Sequence, residues 1–222
     1  MAHFDLVIFD CDGVLVDSER ITNQVFADML NEIGVAVTLD DMFEKFVGLS
    51  MGQCLELITA MLRKAPPGDF VEQYKKRTTA ALLSKLTAVP GIEQALDALA
   101  IPFCVASSGD HDKMRTTLGI TKLLPRFVGK IYSVAEVARG KPYPDVFLHA
   151  ARQQGAEPAS CIVIEDTPTG VKAGVAAGMT VLGYSALTPA HRLLEAGAHS
   201  TFEDMTLLPT LIANGNCRRP ST

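Results

Sequence analysis

Lysine and arginine are too few and too scattered in this sequence to form a nucleic-acid surface. Twenty basic residues against 25 acidic ones give a net charge of −5, whereas binding a phosphate backbone calls for a clustered basic stripe. Long apolar runs are missing too, and no stretch approaches the ~20 residues of a membrane span. The opening residues, Met1-Ala2-His3-Phe4-Asp5, lack a cationic segment, and Asp10 breaks the apolar run after them, so no secretory leader is expected. Cysteine is sparse. Cys11, Cys54, Cys104, Cys161 and Cys217 stand singly with no CxxC pair, which reads as reduced core thiols of a cytoplasmic protein and excludes a disulfide scaffold or a zinc site. Internal repeats and low-complexity tracts are absent. What remains is a 222-residue chain with 48% apolar and 20% charged residues, enough for one large domain or a core plus a smaller one.

The most informative stretch is Asp10-Cys11-Asp12-Gly13-Val14-Leu15-Val16-Asp17-Ser18-Glu19, directly after the apolar run Leu6-Val7-Ile8-Phe9. Strand periodicity points Asp10 and Asp12 the same way, and Gly13 lets the backbone turn just after them. Charge at the end of a buried strand is costly unless compensated, and a divalent cation or a proton-transfer role would compensate it. A plain strand followed by an Asp-Gly turn is the alternative that the rest of the chain has to decide against.

From Asp17 the pattern is helical for about seventy residues. Ile21, Val25, Met29 and Ile33 recur every four and stop at Gly34, predicting a helix ended by glycine. A second short helix starts at Thr38, with Met42, Phe43, Phe46 and Val47 on one side. A capping box of Ser50 and Gln53 opens a third, Pro66-Pro67-Gly68 breaks it, and Asp69 with Glu72 caps a fourth. From Val89 strands and helices alternate, with strands expected at Phe103–Ala106, near Ile131–Val134, at Cys161–Ile164 and at Thr180–Gly183. Such alternation predicts an α/β fold, a three-layer Rossmann-like parallel sheet with an inserted helical domain. The expected organisation is an α/β core of residues 1–16 plus 89–213, a helical insert over 17–88, and a frayed tail over 214–222.

In open α/β sheets ligands bind at the carboxyl ends of the strands. Strand one ends in Asp10 and Asp12. Strand two ends in Ser107-Ser108-Gly109, a hydroxyl and a small-residue turn able to offer N–H groups to an anion. Gly140-Lys141-Pro142-Tyr143-Pro144-Asp145 stiffens the backbone around one lysine, and strand four ends in Glu165-Asp166 before a helix. Singly these read as a turn, a loop lysine and a helix-dipole pair; together at the ends of strands in one sheet they supply what phosphoryl transfer to an aspartate requires. Magnesium takes carboxylate and carbonyl oxygens with substrate phosphate, and the lysine neutralises charge on the phosphoryl oxygens.

The string from Asp10 to Glu19, with Ser107, Lys141-Pro142-Tyr143-Pro144-Asp145 and Glu165-Asp166, resembles the haloacid dehalogenase superfamily. Within it the chain is similar to the β-phosphoglucomutase-like and small-metabolite phosphatases, whose helical cap is inserted after the first motif. The resemblance implies Mg2+ as cofactor, held by Asp10, the carbonyl of Asp12, Asp166 and Glu165. It implies Asp10 as the nucleophile that becomes an aspartyl-phosphate, Asp12 as general acid and then base, and Ser107 and Lys141 as the phosphoryl holders. Gly13, Ser108 and Gly109 are further candidates for substrate contact. The insert becomes a cap that closes over the substrate, hinged near Val16–Ser18 and Leu86–Pro90.

Asp12 and the acidic pair argue against a dehalogenase. A mutase of this branch has a histidine and an arginine in the cap where Thr22 and Met51 stand here, which favours a hydrolase over a hexose-phosphate mutase. A phospho-accepting receiver domain uses similar groups, but with the acidic pair after the first strand. The expected activity is therefore a magnesium-dependent phosphatase, a monomer acting on a small phosphorylated metabolite such as a sugar phosphate, a sugar-acid phosphate or a phosphoglycolate-like acid. Candidate selecting residues in the insert are Lys45, Ser50, Gln53, Lys75, Lys76 and Arg77.

Overall fold

The computed structural model describes residues 4–47, 49 and 51–214. They divide into two compact units, Met1–Asp17 with Thr87–Thr222, and Ser18–Leu86. Both linkers belong to the first unit because they pair with each other there. Val16 bridges Ala88, and Asp17 N–H donates to the Thr87 carbonyl at 2.9 Å, so the division falls after Asp17 and before Thr87. The capping box at Ser50 and the tail beyond Asn214 lie outside the described residues.

In chain order the elements are β1 (Leu6–Phe9), α1 (Ser18–Glu32), α2 (Leu39–Lys45), α3 (Met51–Leu62), α4 (Phe70–Lys85), α5 (Ile92–Ala98), β2 (Phe103–Ser107) and α6 (His111–Ile120). They continue as β3 (Ile131–Ser133), α7 (Asp145–Gln153), β4 (Cys161–Glu165), α8 (Pro168–Ala176), β5 (Thr180–Tyr184), α9 (Ala190–Glu195), β6 (Ser200–Phe202) and α10 (Leu208–Ala213). Among the described residues six strands form one parallel sheet in the order β3-β2-β1-β4-β5-β6.

The strands read as near-continuous apolar runs because both faces of the sheet are covered. On one face Leu6, Ile8, Cys104, Ala106, Cys161 and Val163 pack with Val146, Phe147 and Ala150 of α7 and Val171 of α8. On the other, Phe103 stands edge-on between Phe9, at 6.2 Å, and Phe127, at 5.4 Å. Strand order reverses about β1: β2 and β3 run out on one side, β4 to β6 on the other. Such a switch point leaves a crevice at the carboxyl end of the central strand, which here is where Asp10 emerges.

The helical unit has its own core. Phe26 is its centre, with ring centroids 5.7 Å from Phe46, 5.7 Å from Phe70 and 4.8 Å from Tyr74, backed by Met29, Leu30, Met42 and Ile58. The buried face of α1 is thus Asn23, Phe26, Ala27, Met29 and Leu30. Of the expected stripe Ile21, Val25, Met29 and Ile33, Met29 is buried and Val25 and Ile33 are half-buried against this core; a spacing of exact fours drifts off the contact line of a 3.6-residue helix, and Phe26 and Leu30 fill the rest of it. Thr38 caps α2 in a reciprocal box with Asp41. Asp69, by contrast, makes no side-chain cap on α4: its backbone, at φ −93° and ψ 5°, is not extended as a capping aspartate requires. No described helix is long and apolar enough to cross a membrane.

Candidate active site

β1 delivers Asp10 to the carboxyl edge of the sheet, and the chain then folds tightly on itself. Leu15 and Val16 N–H groups donate to the Cys11 carbonyl at 2.9 and 3.1 Å, and Gly13 N–H donates to the Val16 carbonyl at 2.8 Å. Gly13 takes φ 78°, the left-handed backbone that glycine adopts without penalty. Its N–H is therefore occupied by the turn.

Asp10 is buried and meets the only lysine with a buried ammonium among the described site residues. Lys141 Nζ donates to Asp10 Oδ1 at 2.5 Å, to Glu165 Oε1 at 2.8 Å and to the Ala106 carbonyl at 3.2 Å, and it lies 4.6 Å from the centre of the Phe147 ring. The Lys141 side chain is 4% exposed. Burial disfavours its charge, but Asp10 and Glu165 more than offset this and hold the ammonium above the usual lysine range. Burial likewise pushes the Asp10 carboxyl up, Lys141 draws it down, Glu165 and Asp12 push it up again, and it comes to about 7.

Glu165 is fixed on its other side. Thr167 N–H and Oγ1 donate to Glu165 Oε2 at 3.0 and 2.9 Å, and Thr167 caps α8 by accepting from Gly170 N–H. The Glu165 carboxylate lies over Gly170, where a Cβ would overlap it outright; glycine is required at this point by the space that the carboxylate occupies. Asp166 follows, buried at 4% exposure. One carboxylate oxygen from each of Asp10, Glu165 and Asp166 lies within 4.8 Å of the others.

This donor set tests the expectation of a metal. Three buried carboxylates face one buried ammonium, and an uncompensated buried anion is expensive. The donors are all oxygen, which suits a hard divalent cation such as magnesium and not zinc or copper. The residues therefore fit the cation.

Ser107 ends β2, buried at 1% exposure, its Oγ accepting from Gly109 N–H at 3.1 Å. Ser108 is exposed and Gly109 half-buried. Asp12 is reached by a residue that the sequence did not single out. Lys113 Nζ, from α6, donates to Asp12 Oδ2 at 2.6 Å. Nothing local announces this contact, which spans 101 positions; the helical pattern only places Lys113 six residues after Ser107. Thr167 was missed too, although its position between the acidic pair and the helix was visible.

The insert candidates lie in the other unit. Gln53 and Lys75 stand at exposed positions of α3 and α4. Arg77 forms a forked pair with Glu32 at 2.7 and 2.8 Å, and Lys45 pairs with Asp41, so both are engaged on the surface of their own unit.

Residues 7–184 match the haloacid dehalogenase-like hydrolase family. The chain is 30% identical over 212 residues to the 6-phosphogluconate phosphatase of Escherichia coli, covering 95% of this chain and 96% of that one. Among solved structures, a haloacid dehalogenase-like protein of Agrobacterium tumefaciens superposes with a TM-score of 0.92 at 34% identity, covering 96% and 99% of the two chains. A family hydrolase of Deinococcus radiodurans, solved with bound phosphate and sodium, superposes with a TM-score of 0.86 at 33% identity over the full length of both. The chain belongs to the haloacid dehalogenase-like hydrolases, in their small-metabolite phosphatase branch, and is a phosphoric monoester hydrolase.

Proposed function

We propose that the protein is a magnesium-dependent phosphatase of a small phosphorylated sugar or sugar acid, working through an aspartyl-phosphate on Asp10. The observation that carries this reading is the Lys141 ammonium held between Asp10 and Glu165, with Asp166 completing a three-carboxylate pocket at the switch point of the sheet. Magnesium would be held by Asp10, Asp166, Glu165 and the Asp12 carbonyl, and when bound supplies positive charge against the phosphoryl oxygens.

The chain's own residues do the rest. An Asp10 carboxylate oxygen attacks phosphorus, and the bond from phosphorus to the ester oxygen breaks. Asp12 gives its proton to the departing alkoxide, which leaves as the alcohol. Asp12, now a carboxylate, takes a proton from the water that attacks the acyl phosphate at phosphorus; as that phosphorus–oxygen bond forms, the bond between phosphorus and the Asp10 oxygen breaks, which releases inorganic phosphate and restores the Asp10 carboxylate. Ser107 and Lys141 hold the phosphoryl oxygens throughout, their charge and hydrogen bonds preset by burial. Substrate selection by Gln53, Ser50 or Lys75, and closure of the helical unit as a cap, belong to the same reading.

The mutase alternative gains nothing: Thr22, at the position of the mutase histidine, donates its hydroxyl to the Glu19 carbonyl within α1. The receiver alternative is set aside by the family match. Phosphate release from a panel of sugar and sugar-acid phosphates is expected with magnesium, lost with EDTA and restored by adding the metal back. Asp10→Asn is expected to abolish turnover in a folded protein; most of the activity surviving in that variant would overturn the nucleophile assignment.

A further inference from the structure

We propose that Lys113 is a specificity residue that receives a carboxylate carried by the leaving group, so that the enzyme selects phosphorylated acids over neutral sugar phosphates. The inference rests on the phosphatase reading above and adds a substrate class to it.

Lys113 is built into the site. Its N–H donates to the capping carboxylate of Asp110 at 2.7 Å, which fixes its place in the first turn of α6. One turn on, Thr117 on the same helix touches Cys11, Sγ to Oγ1 at 4.0 Å, so this side of α6 packs against the motif that follows β1. The Lys113 stem then crosses the Ser107-Ser108-Gly109 turn. A Cβ on Gly109 would meet Lys113 Cδ at 3.3 Å and Ser107 Oγ at 3.6 Å, so the stem runs close over the turn. The ammonium ends 2.6 Å from Asp12 Oδ2.

Two lysines thus serve the two aspartates differently. Lys141, 4% exposed, is locked among Asp10, Glu165 and the Ala106 carbonyl. Lys113 is 45% exposed, so its ammonium is open to a second anion from solvent. In the proposed reaction Asp12 must present an oxygen to the ester oxygen of the leaving group, which brings the Lys113 ammonium within about two hydrogen-bond lengths, ~5–6 Å, of that oxygen. The phosphoryl group is already held by Lys141 and Ser107. A neutral leaving group offers the Lys113 ammonium no second anion. A leaving group that carries a carboxylate does, beside the Asp12 oxygen that Lys113 already holds, so the charge on the substrate is rewarded next to the reacting centre.

The test uses 6-phosphogluconate and glucitol 6-phosphate, which differ only in a carboxylate against a hydroxymethyl group, as competitors of p-nitrophenyl phosphate hydrolysis, with calorimetry as a readout that needs no turnover. Wild-type enzyme is expected to bind the acid about 10- to 100-fold tighter than the alditol phosphate, the range of one charge-assisted hydrogen bond. In Lys113→Met that ratio should fall to near one, and Lys113→Arg should keep most of it. A wild-type ratio near one, or a ratio that Lys113→Met leaves unchanged, would overturn the proposal. A wild-type protein that binds the acid selectively but releases phosphate from nothing would overturn the phosphatase reading instead.

Discussion

Replacing Lys141 by methionine removes one buried positive charge while keeping the length of the side chain. Lys141 is the ammonium that Asp10 and Glu165 share, at 2.5 and 2.8 Å with 4% of its side chain exposed, and breaking a buried ion pair from one side costs about 3–5 kcal/mol. Domains of this size lose ~2–4 °C in Tm for each kcal/mol, so Lys141→Met should melt about 6–20 °C lower in metal-free buffer. Turnover should fall by about 10²–10³-fold or more, the cost of losing one preset electrostatic group at the reacting centre. The stability loss should be rescued in part by a second change that removes one of the stranded charges. Asp10→Asn with Lys141→Met is therefore expected to be more stable than the sum of the single changes predicts, by about 1–3 kcal/mol in a double-mutant cycle read from urea unfolding. An unchanged urea midpoint in Lys141→Met, or strict additivity in the cycle, would refute the view that the ammonium compensates the carboxylates.

Gly170→Ala places a methyl group where the Glu165 carboxylate lies and should displace that side chain from Lys141 and Thr167; at least a tenfold weaker response to magnesium, read as the metal concentration for half-maximal activity, is expected, since outer supports of a metal site are worth about 10–100-fold. Phe26→Ala should cost about 3–5 kcal/mol in the helical unit, read as a lowered urea midpoint with activity at saturating substrate retained below the transition. The Cys161 thiol, which burial pushes up to about 11, should stay protonated at neutral pH. The stability it contributes is whole below the ordinary thiol range and lost as pH rises toward that value, and iodoacetamide at pH 8 should label Cys11, Cys104 and Cys161 only after unfolding.

The legible part of the fold was the part whose pattern is long or redundant. Parallel strands buried on both faces have to be apolar throughout, so Leu6–Phe9 and Cys161–Ile164 announced themselves. The strand-end residues were legible because a charged or small group directly after such a run has one place to go, the carboxyl edge of the sheet. Among the short elements only those placed by the alternation were legible: β3, three residues long, was expected between two helices. β6, also three residues, and α9 and α10, six each, lie beyond that alternation, are too short for a period to register, and are held by packing on neighbours already in place. The Asp69 cap failed because capping depends on a backbone angle that residue type only biases.

Lys113 was illegible for a different reason. Its residue type is common on exposed helix faces, and its partner is 101 positions away; only the closure of α6 onto the turn after β1 brings the two together. The neighbours carry part of the signal: the lysine stem crosses close over Gly109, and Asp110 pins that lysine's backbone. Read together, Ser107, Gly109, Asp110 and Lys113 form one device running from the phosphoryl-holding hydroxyl to the proposed acid. Holding phosphate there calls for Ser107 and its N–H neighbours; the lysine stem over Gly109 and the ammonium on Asp12 are additional to that task.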